Sequence, residues 1–330
     1  MTDNIRWGIL GTADIASEMV RAIHASNNGQ AVAVASRTAE RAGTWAAAHG
    51  IKTSFKTYDD LLSARDQVDA IYLPLPNSLH AEWTIRALDA GFSVLCEKPL
   101  VTSLTEAEQV CKKARATGLL VAEGYMYRHH PLLIRTLELL RDGAIGDIAS
   151  LDLEFTFLND DPDALPAAAE LGGGALMDVG CYCIHMARWV AGAEPLRVSA
   201  HARFEGNLDK TIVGILDFEN GPIARIEASI AAAERQRVLI GGSQASLVLD
   251  RPWVQGLEPT TIRIQRWQQT DEIIEVPGAD AYRLQVEAFA DACLGRAEFP
   301  WPIEDAVGNT SVINSLVVAA RERRSVEISS

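Results

Sequence analysis

The chain has 330 residues, of which 48% are hydrophobic and 22% charged, with a formal net charge of −14. That length and apolar content suit two soluble domains, each with a sizeable core. The acidity argues against nucleic acid or an anionic membrane as partner, since both need a basic surface.

Ile5–Leu10 reads as a buried strand, followed by Gly11-Thr12-Ala13-Asp14-Ile15-Ala16 and a helical pattern. This is a degenerate Gly-x-Gly-x-x-Gly fingerprint: Gly11 makes the tight turn, Ala13 lets the backbone approach a pyrophosphate, and Ala16 allows helix–strand packing. A plain strand-turn-helix fits the same residues. A second buried strand, Ala31–Ala35, ends in Ser36-Arg37, with Arg41 one helical turn on. An NAD site places Asp or Glu there, whereas a hydroxyl and guanidinium groups suit a 2′-phosphate and favour NADP. The bland alternative is a helix start carrying solvated arginines.

Thr53–Phe55 reads as a strand and Tyr58–Ala64 as a short helix. Asp69–Leu73 is a strand entering the loop Pro74-Leu75-Pro76-Asn77-Ser78, where Asn77 or Ser78 is placed to cap the next helix. His80, in the first turn of that helix, reads as a cap or supporting residue rather than a catalyst. The helix Ala81–Ala90 leads to Val94–Cys96, a short strand that Pro99 stops, leaving Glu97 and Lys98 at its carboxyl end. Open parallel sheets bind ligands at that end of their strands. Another helix, Leu104–Thr117, and the strand Leu119–Glu123 complete an alternating pattern, which predicts a parallel sheet with helices on both faces.

Tyr125-Met126-Tyr127-Arg128-His129-His130-Pro131 then leaves the sheet as an aromatic and basic cluster. Adjacent histidines lack the spacing that clamps zinc on a helix, and no metal site is expected. After a helix around Leu132–Leu140, alternating runs begin. Ser150–Phe157, Arg197–Phe204, Thr211–Phe218, Ala224–Ile230, Arg235–Ile240, Ser246–Leu249, Thr261–Trp267 and Glu272–Val276 predict a large, mostly antiparallel sheet. Such a sheet needs a cover on each face: helices on one and a second subunit on the other. Helices return at Ala281–Leu294 and Glu304–Arg321. Between the first two strands, Gly172-Gly173-Gly174 precedes a helix on which Asp178, Tyr182 and His185 share one stripe. An internally satisfied buried stripe is one reading; three polar groups beside a glycine run fit a polar ligand pocket better.

The five cysteines, Cys96, Cys111, Cys181, Cys183 and Cys293, show no metal-ligand spacing, and their odd number suits free thiols in a reducing compartment. The N-terminus carries no basic region followed by an apolar core, and no apolar run reaches about 18 residues. A cytoplasmic protein is expected.

Gly11-Thr12-Ala13-x-Ile15-Ala16, Glu97-Lys98-Pro99 and Gly172-Gly173-Gly174-x-Leu176-x-Asp178-x-Gly180-x-Tyr182, in that order and spacing, resemble the glucose–fructose oxidoreductase / inositol dehydrogenase (Gfo/Idh/MocA) family. A late Asp305-x-x-x-Asn309 segment extends the resemblance over essentially the whole chain. It implies an N-terminal Rossmann doubly wound sheet (1–124) and a C-terminal α+β domain (125–330) that binds substrate and oligomerises as a dimer or tetramer, with the final helix free to pack back on the first domain.

By resemblance, Lys98 lies near the nicotinamide ribose and reacting hydroxyl, and Tyr182 is the acid–base residue, with Asp178 beside it in the catalytic set. Cofactor contacts are expected from Gly11, Thr12, Ala13, Asp14, Ile15, Ser36, Arg37, Arg41, Leu73, Pro74, Asn77, His80, Glu97 and Lys98. Substrate contacts are expected from Lys98, Tyr127, Arg128, Asp178, Tyr182 and His185. A tyrosine at position 182 is similar to the branch holding NADP-dependent D-xylose dehydrogenase and dimeric dihydrodiol dehydrogenase, while His185 departs from the small or amide residue of that branch. The implied reaction is NADP-dependent oxidation of an aldopyranose, such as D-xylose or D-glucose, at C1 to a lactone. The alternatives are an NADPH-dependent reductase of keto- or anhydro-sugars and a non-catalytic NADP-sensing regulator.

Overall fold

The computed structural model describes residues 4–161 and 165–328. In its first part, short runs of apolar residues alternate with amphipathic helices. The elements are β1 (Ile5–Leu10), α1 (Asp14–Ala25), β2 (Gly29–Ala35), α2 (Ala39–Ala48), β3 (Thr53–Phe55), α3 (Tyr58–Leu62), β4 (Ala70–Leu73), α4 (His80–Asp89), β5 (Ser93–Cys96), α5 (Leu104–Thr117) and β6 (Val121–Glu123). All six strands are parallel, in the order β3-β2-β1-β4-β5-β6. This is the doubly wound order whose direction of winding reverses beside β1. Local signals punctuate it: Ser103 and Glu106 form a capping box at the start of α5, and Gly118 ends that helix at a positive φ of 67°.

The second part holds α6 (Pro131–Arg141), β7 (Ile148–Leu158), α7 (Cys181–Ala191), β8 (Arg197–Glu205), β9 (Leu208–Asp217), β10 (Ile223–Ser229), β11 (Ala231–Gly242), β12 (Ser246–Asp250), β13 (Thr260–Gln265) and β14 (Glu272–Val276). Then come α8 (Ala281–Cys293), α9 (Asp305–Glu322) and β15 (Val326–Glu327). Nine strands form one sheet, β14-β13-β12-β11-β7-β10-β9-β8-β15, antiparallel except where β7 and β10 run parallel. Alternation sends Leu151, Leu153 and Phe155 of β7 to the face covered by α7, and Asp152 and Glu154 to the other. That other face is charged. Arg225 bonds Asp152 at 2.6 Å and Glu227 at 2.5 Å, and Arg235 pairs with Glu227.

Two compact units result: Met1–Met126 with Asp280–Val307, and Tyr127–Ala279 with Gly308–Ser330. The boundary read from the sequence, after residue 124, differs by two residues, and α8, expected in the second domain, groups with the first unit. The reason is packing: Val286, Phe289 and Ala290 of α8 share a core with Trp7, Ile9, Met19 and Ile23. The rings of Trp7 and Phe289, both fully buried, stand 5.1 Å apart. Large-to-small changes at such sites cost about 3–5 kcal/mol. Phe289→Ala should therefore lower the stability of the first unit by that order in urea unfolding. A loss below ~1 kcal/mol would show that α8 is an accessory to this core rather than part of it.

Candidate active site

In the first unit, β1 delivers Gly11 at a φ of 134°, where a side chain would press on Leu75 and approach the Pro74 carbonyl. The chain then enters α1 through Ala13, whose extended backbone starts the helix without a capping side chain. A helix N-terminus of this kind suits a phosphate. Beside it, the Thr12 and Ser36 hydroxyls share a hydrogen bond of 3.1 Å in a buried position. Arg41 donates from Nε to Thr12 Oγ1 at 2.8 Å and from Nη2 to the Thr12 carbonyl at 3.1 Å. Arg37 is exposed at the start of the same segment. The turn after β1 and the residues after β2, read in the sequence as parts of one cofactor site, are thus joined through Thr12. The link through Thr12 was not foreseen, because a threonine in a turn has no spacing signature.

Tyr58 neighbours the same arginines. It lies close enough to Arg37 and Arg41 for their charges to favour its phenolate, although burial outweighs them and raises its pKa.

Leu73 and Pro74, at the end of β4, are buried, as is Asn77 in the short 3₁₀ turn Asn77–Leu79. His80 opens α4. It is fully buried, with Nδ1 2.8 Å from the Pro99 carbonyl and Nε2 2.6 Å from the Leu75 carbonyl. Burial lowers its pKa, outweighing those two carbonyls. It lies between the loop after β4 and the segment after Lys98, and the neutral ring donates its one N–H to one of the two carbonyls at a time.

That segment is fixed from several sides. The Lys98–Pro99 peptide is cis. Glu97, buried, accepts from the Tyr72 hydroxyl at 2.7 Å through Oε1, and from the Lys98 N–H at 3.4 Å through Oε2. Glu123 Oε1 accepts from the Leu100 N–H at 2.8 Å. Burial pushes the Glu97 carboxyl above its ordinary value, while the Tyr72 hydroxyl and the Lys98 charge hold it back. Gly124 passes so close that a side chain there would meet the Cys96 carbonyl at 3.0 Å and Glu97 Oε1 at 3.3 Å. Tyr282 of α8 feels both charges, Glu97 and Lys98, and its pKa is raised chiefly by burial.

In the second unit, the helix expected after the glycine run starts as a π turn, Leu176–Gly180, that continues into α7. Asp178 lies in the π turn and is half-buried, whereas Tyr182 and His185 on α7 are buried. Gly180 lies against the sheet, where a side chain would meet Ala228 Cβ at 3.0 Å. Asn309 of α9 donates to the Cys181 carbonyl at 3.3 Å and accepts from Arg188 at 3.4 Å, which gives the Asp305-x-x-x-Asn309 segment its role.

Tyr182 is walled by aromatic rings: Tyr127, Phe155 and Trp253 have centroids 5.6, 5.5 and 6.1 Å from its own. Trp253 is anchored by its indole N–H, which donates to the Glu154 carbonyl at 3.2 Å. Tyr127 and His185 share a hydrogen bond inside this cluster. The sequence reading joined Tyr127, Tyr182 and His185 in one set but missed Phe155 and Trp253. The first is one apolar position on an alternating strand, and the second sits in a loop with no motif.

Arg128 is buried beside His129, whose pKa burial and the Arg128 charge push down to about 3. His130 caps α6 by accepting from the Leu132 N–H at 3.0 Å. Among the described residues, no group of three or more His, Cys, Asp or Glu could hold a metal ion, and no helix is long and apolar enough to cross a membrane.

A phosphate-ready helix start at the strand-order reversal, with a lysine at the carboxyl end of β5, defines a dinucleotide-binding oxidoreductase of the Rossmann class. Comparison narrows this. Residues 5–125 match the oxidoreductase family with an NAD-binding Rossmann fold, and residues 134–248 match the GFO/IDH/MocA C-terminal domain. The chain belongs to the GFO/IDH/MocA oxidoreductase family.

Similar relatives include D-xylose 1-dehydrogenase (NADP(+)) 2 of Haloferax volcanii, 35% identical over 329 residues, with 98% of this chain and 99% of that protein covered. A second is the dTDP-3,4-didehydro-2,6-dideoxy-alpha-D-glucose 3-reductase of Actinomadura kijaniata, 34% identical over 326 residues and 96% of each chain. A crystal structure of the 3-ketoreductase from that organism, in complex with NADP and TDP-benzene, superposes with a TM-score of 0.90 at 33% identity, covering 96% of this chain and 98% of that one.

Removing the hydroxyl that supports Glu97 should leave a buried carboxylate short of a donor, at a cost of about 1–3 kcal/mol. Tyr72→Phe is expected to lose stability in that range in urea unfolding. An unchanged midpoint would mean that Glu97 finds another donor.

Proposed function

We propose that the chain is an NADP-dependent sugar oxidoreductase that oxidises an aldopyranose, such as D-xylose or D-glucose, at C1 to the lactone. The observation that carries this reading is the hydroxyl–guanidinium cluster at the end of β2, Thr12, Ser36 and Arg41 with Arg37 beside them. Such a cluster matches a 2′-phosphate, where a carboxylate would serve a free ribose hydroxyl. The likeness to an NADP-dependent D-xylose dehydrogenase over nearly the full chain supports the sugar class.

Oxidation of a sugar hydroxyl removes a hydride from carbon and a proton from oxygen. Bound nicotinamide supplies the hydride chemistry. The proton is the task of Tyr182, whose wall of rings keeps bulk water from its flanks. A free phenol titrates near about 10, so Tyr182 needs a neighbouring cation to favour its anion, and Lys98 is assigned that role. Asp178 is assigned to orient the substrate hydroxyls. Possession of both Lys98 and Tyr182 speaks against a non-catalytic sensor.

A second reading has a specific observation in its favour. The likeness to the 3-ketoreductase supports reduction of a nucleotide-linked keto-sugar by the same residues run in reverse. Incubation with NADP and a panel of aldoses, and with NADPH and nucleotide-linked keto-sugars, while following nicotinamide absorbance, separates the two. Turnover confined to the second arm would overturn the first reading.

Arg37→Ala should weaken NADP by ~1.5–3 kcal/mol, the range for hydrogen bonds to charged groups, and leave NAD nearly unchanged in titrations followed by fluorescence. Equal losses for both cofactors would remove the 2′-phosphate assignment.

Tyr182→Phe keeps the ring and removes only the hydroxyl. Turnover should fall by about 10²–10⁴-fold, the usual contribution of an acid–base group, with NADP affinity barely changed. Lys98→Met should also damage turnover, and the two losses should not add, because the lysine acts partly through the tyrosine. Near-normal turnover in Tyr182→Phe would show that the proton leaves by another route.

The charged outer face of the nine-stranded sheet, with Ile215 and Ile223 exposed among its ion pairs, is assigned to subunit association as a homodimer or homotetramer. Sedimentation at micromolar concentration should give a mass at least twice 35.8 kDa. A monomer would count decisively against this.

A further inference from the structure

The turn that presents Asp178 and Tyr182 starts against a carboxylate to which the reaction gives no part. On β9, alternation sends Ile212, Gly214 and Leu216 to the helix-covered face and Val213 and Ile215 to the other. The ladder with β8 slips at Lys210: Arg203 pairs with Thr211, but Phe204 pairs with Asp209. One extra residue in a strand re-aims the side chains beyond it, and here it turns Asp209 toward the helix side. The Lys210 carbonyl, at the slip, accepts from the Ile230 N–H at 2.9 Å.

Asp209 is 6% exposed. Its Oδ2 accepts from the N–H of Leu176, the first residue of the π turn, at 2.7 Å. Its Oδ1 fills the space that a side chain on Gly174 would need, and Gly174 has a φ of 118°. The Gly174 carbonyl in turn accepts from the Asp178 N–H at 2.9 Å. The last glycine of the run is therefore small for the sake of Asp209, and the two together hold both the start of the turn and Asp178.

We propose that Asp209 is a positioning residue of the reaction: its carboxylate fixes the first N–H of the π turn and thereby sets where Asp178 and Tyr182 stand. The proposal rests on Tyr182 being the proton-exchanging group. Burial raises the Asp209 carboxyl to about 6, while the Leu176 N–H and the charge of Arg321 on α9 favour the anion. Charged groups near the slip include Arg203 and Glu205 of β8 and Lys210, which pairs with Glu205 at 3.7 Å. Asp178 lies on the turn itself; Arg197 and His201 lie further along β8, Arg225 and Glu227 on β10, and Asp305 and Glu322 on α9. Above that pH the bond to Leu176 is charge-assisted. Below it the bond joins neutral groups and is roughly half as strong.

The test is the dependence of kcat and KM on pH in the full-length enzyme, between about pH 5 and pH 8, with Asp209→Asn beside the wild type. The wild type should lose kcat as pH falls through about 6. Asp209→Asn keeps an acceptor but no charge, so it should lack this limb and turn over about 10-fold more slowly at pH 8, with unchanged NADP affinity. An Asn variant that keeps the acid limb, or that loses NADP affinity in step with kcat, overturns the proposal.

A second measurement needs no variant. In protein labelled with heavy nitrogen at leucine, the Leu176 amide resonance should titrate with a midpoint near 6, and a flat response overturns the anchor even if the Asn variant does not fold. Near-normal turnover in Tyr182→Phe would sink the acid–base reading alone. The anchor would still stand if Leu176 titrates and Asp209→Asn flattens the profile of kcat.

Discussion

A carboxylate taken out of water costs several kcal/mol unless protein donors replace the lost hydration. This protein buries three of them at its functional segments and meets the cost in the same way each time. Glu97 receives the Tyr72 hydroxyl, Glu123 the Leu100 N–H, and Asp209 the Leu176 N–H. Two of the three donors are backbone groups: the Leu100 N–H, in a loop, and the Leu176 N–H, at a helix start where no helical acceptor precedes it. The arrangement is therefore reciprocal: the carboxylate needs a donor, and the backbone N–H needs an acceptor. Lys98 is held from both sides by this means, with Glu97 before it and Leu100 after it. Glycine completes the design at Gly124 and Gly174, where any side chain would meet the carboxylates themselves.

Much of the fold was legible in the sequence because its signals are local. Most of strands β1 to β6 are buried and read as short apolar runs, the edge strand β3 excepted, and their alternation with helices leaves few topologies. The strands of the second sheet were legible through period-two alternation. What alternation does not encode is who pairs with whom, so the parallel pairing of β7 with β10 and the full length of β11 came only from the structure. The brief edge strand β15 has too few residues to show any period. The π turn was read as an ordinary helix, since one extra residue per turn leaves no mark on composition.

The candidate site divides along the same line. Gly11, Ser36, Arg37, Arg41 and Lys98 stand at strand ends, where position alone implies a role, and the structure gathers those after β1 and β2 around Thr12. Asp178, Tyr182 and His185 were read as one stripe, and the structure puts Asp178 in the π turn and the other two on α7. Their supports were not legible: Phe155, Trp253 and Asp209 come from strands and loops far along the chain, and each is unremarkable in its own neighbourhood. His80, read as a supporting residue, is buried between two carbonyls of its own unit.

The discontinuity of the first unit has a consequence for synthesis. Its final piece, Asp280–Val307, includes α8, whose Val286, Phe289 and Ala290 complete the core around Trp7. A ribosome adding about 5–20 residues per second needs roughly eight to thirty seconds to traverse the intervening stretch of about 150 residues. For that interval the face of the nascent parallel sheet that α1 covers only in part lacks α8. Chaperone capture, or early docking of other nascent helices, would act in this window. Thus the amino-terminal half is the first to be made but among the last to close.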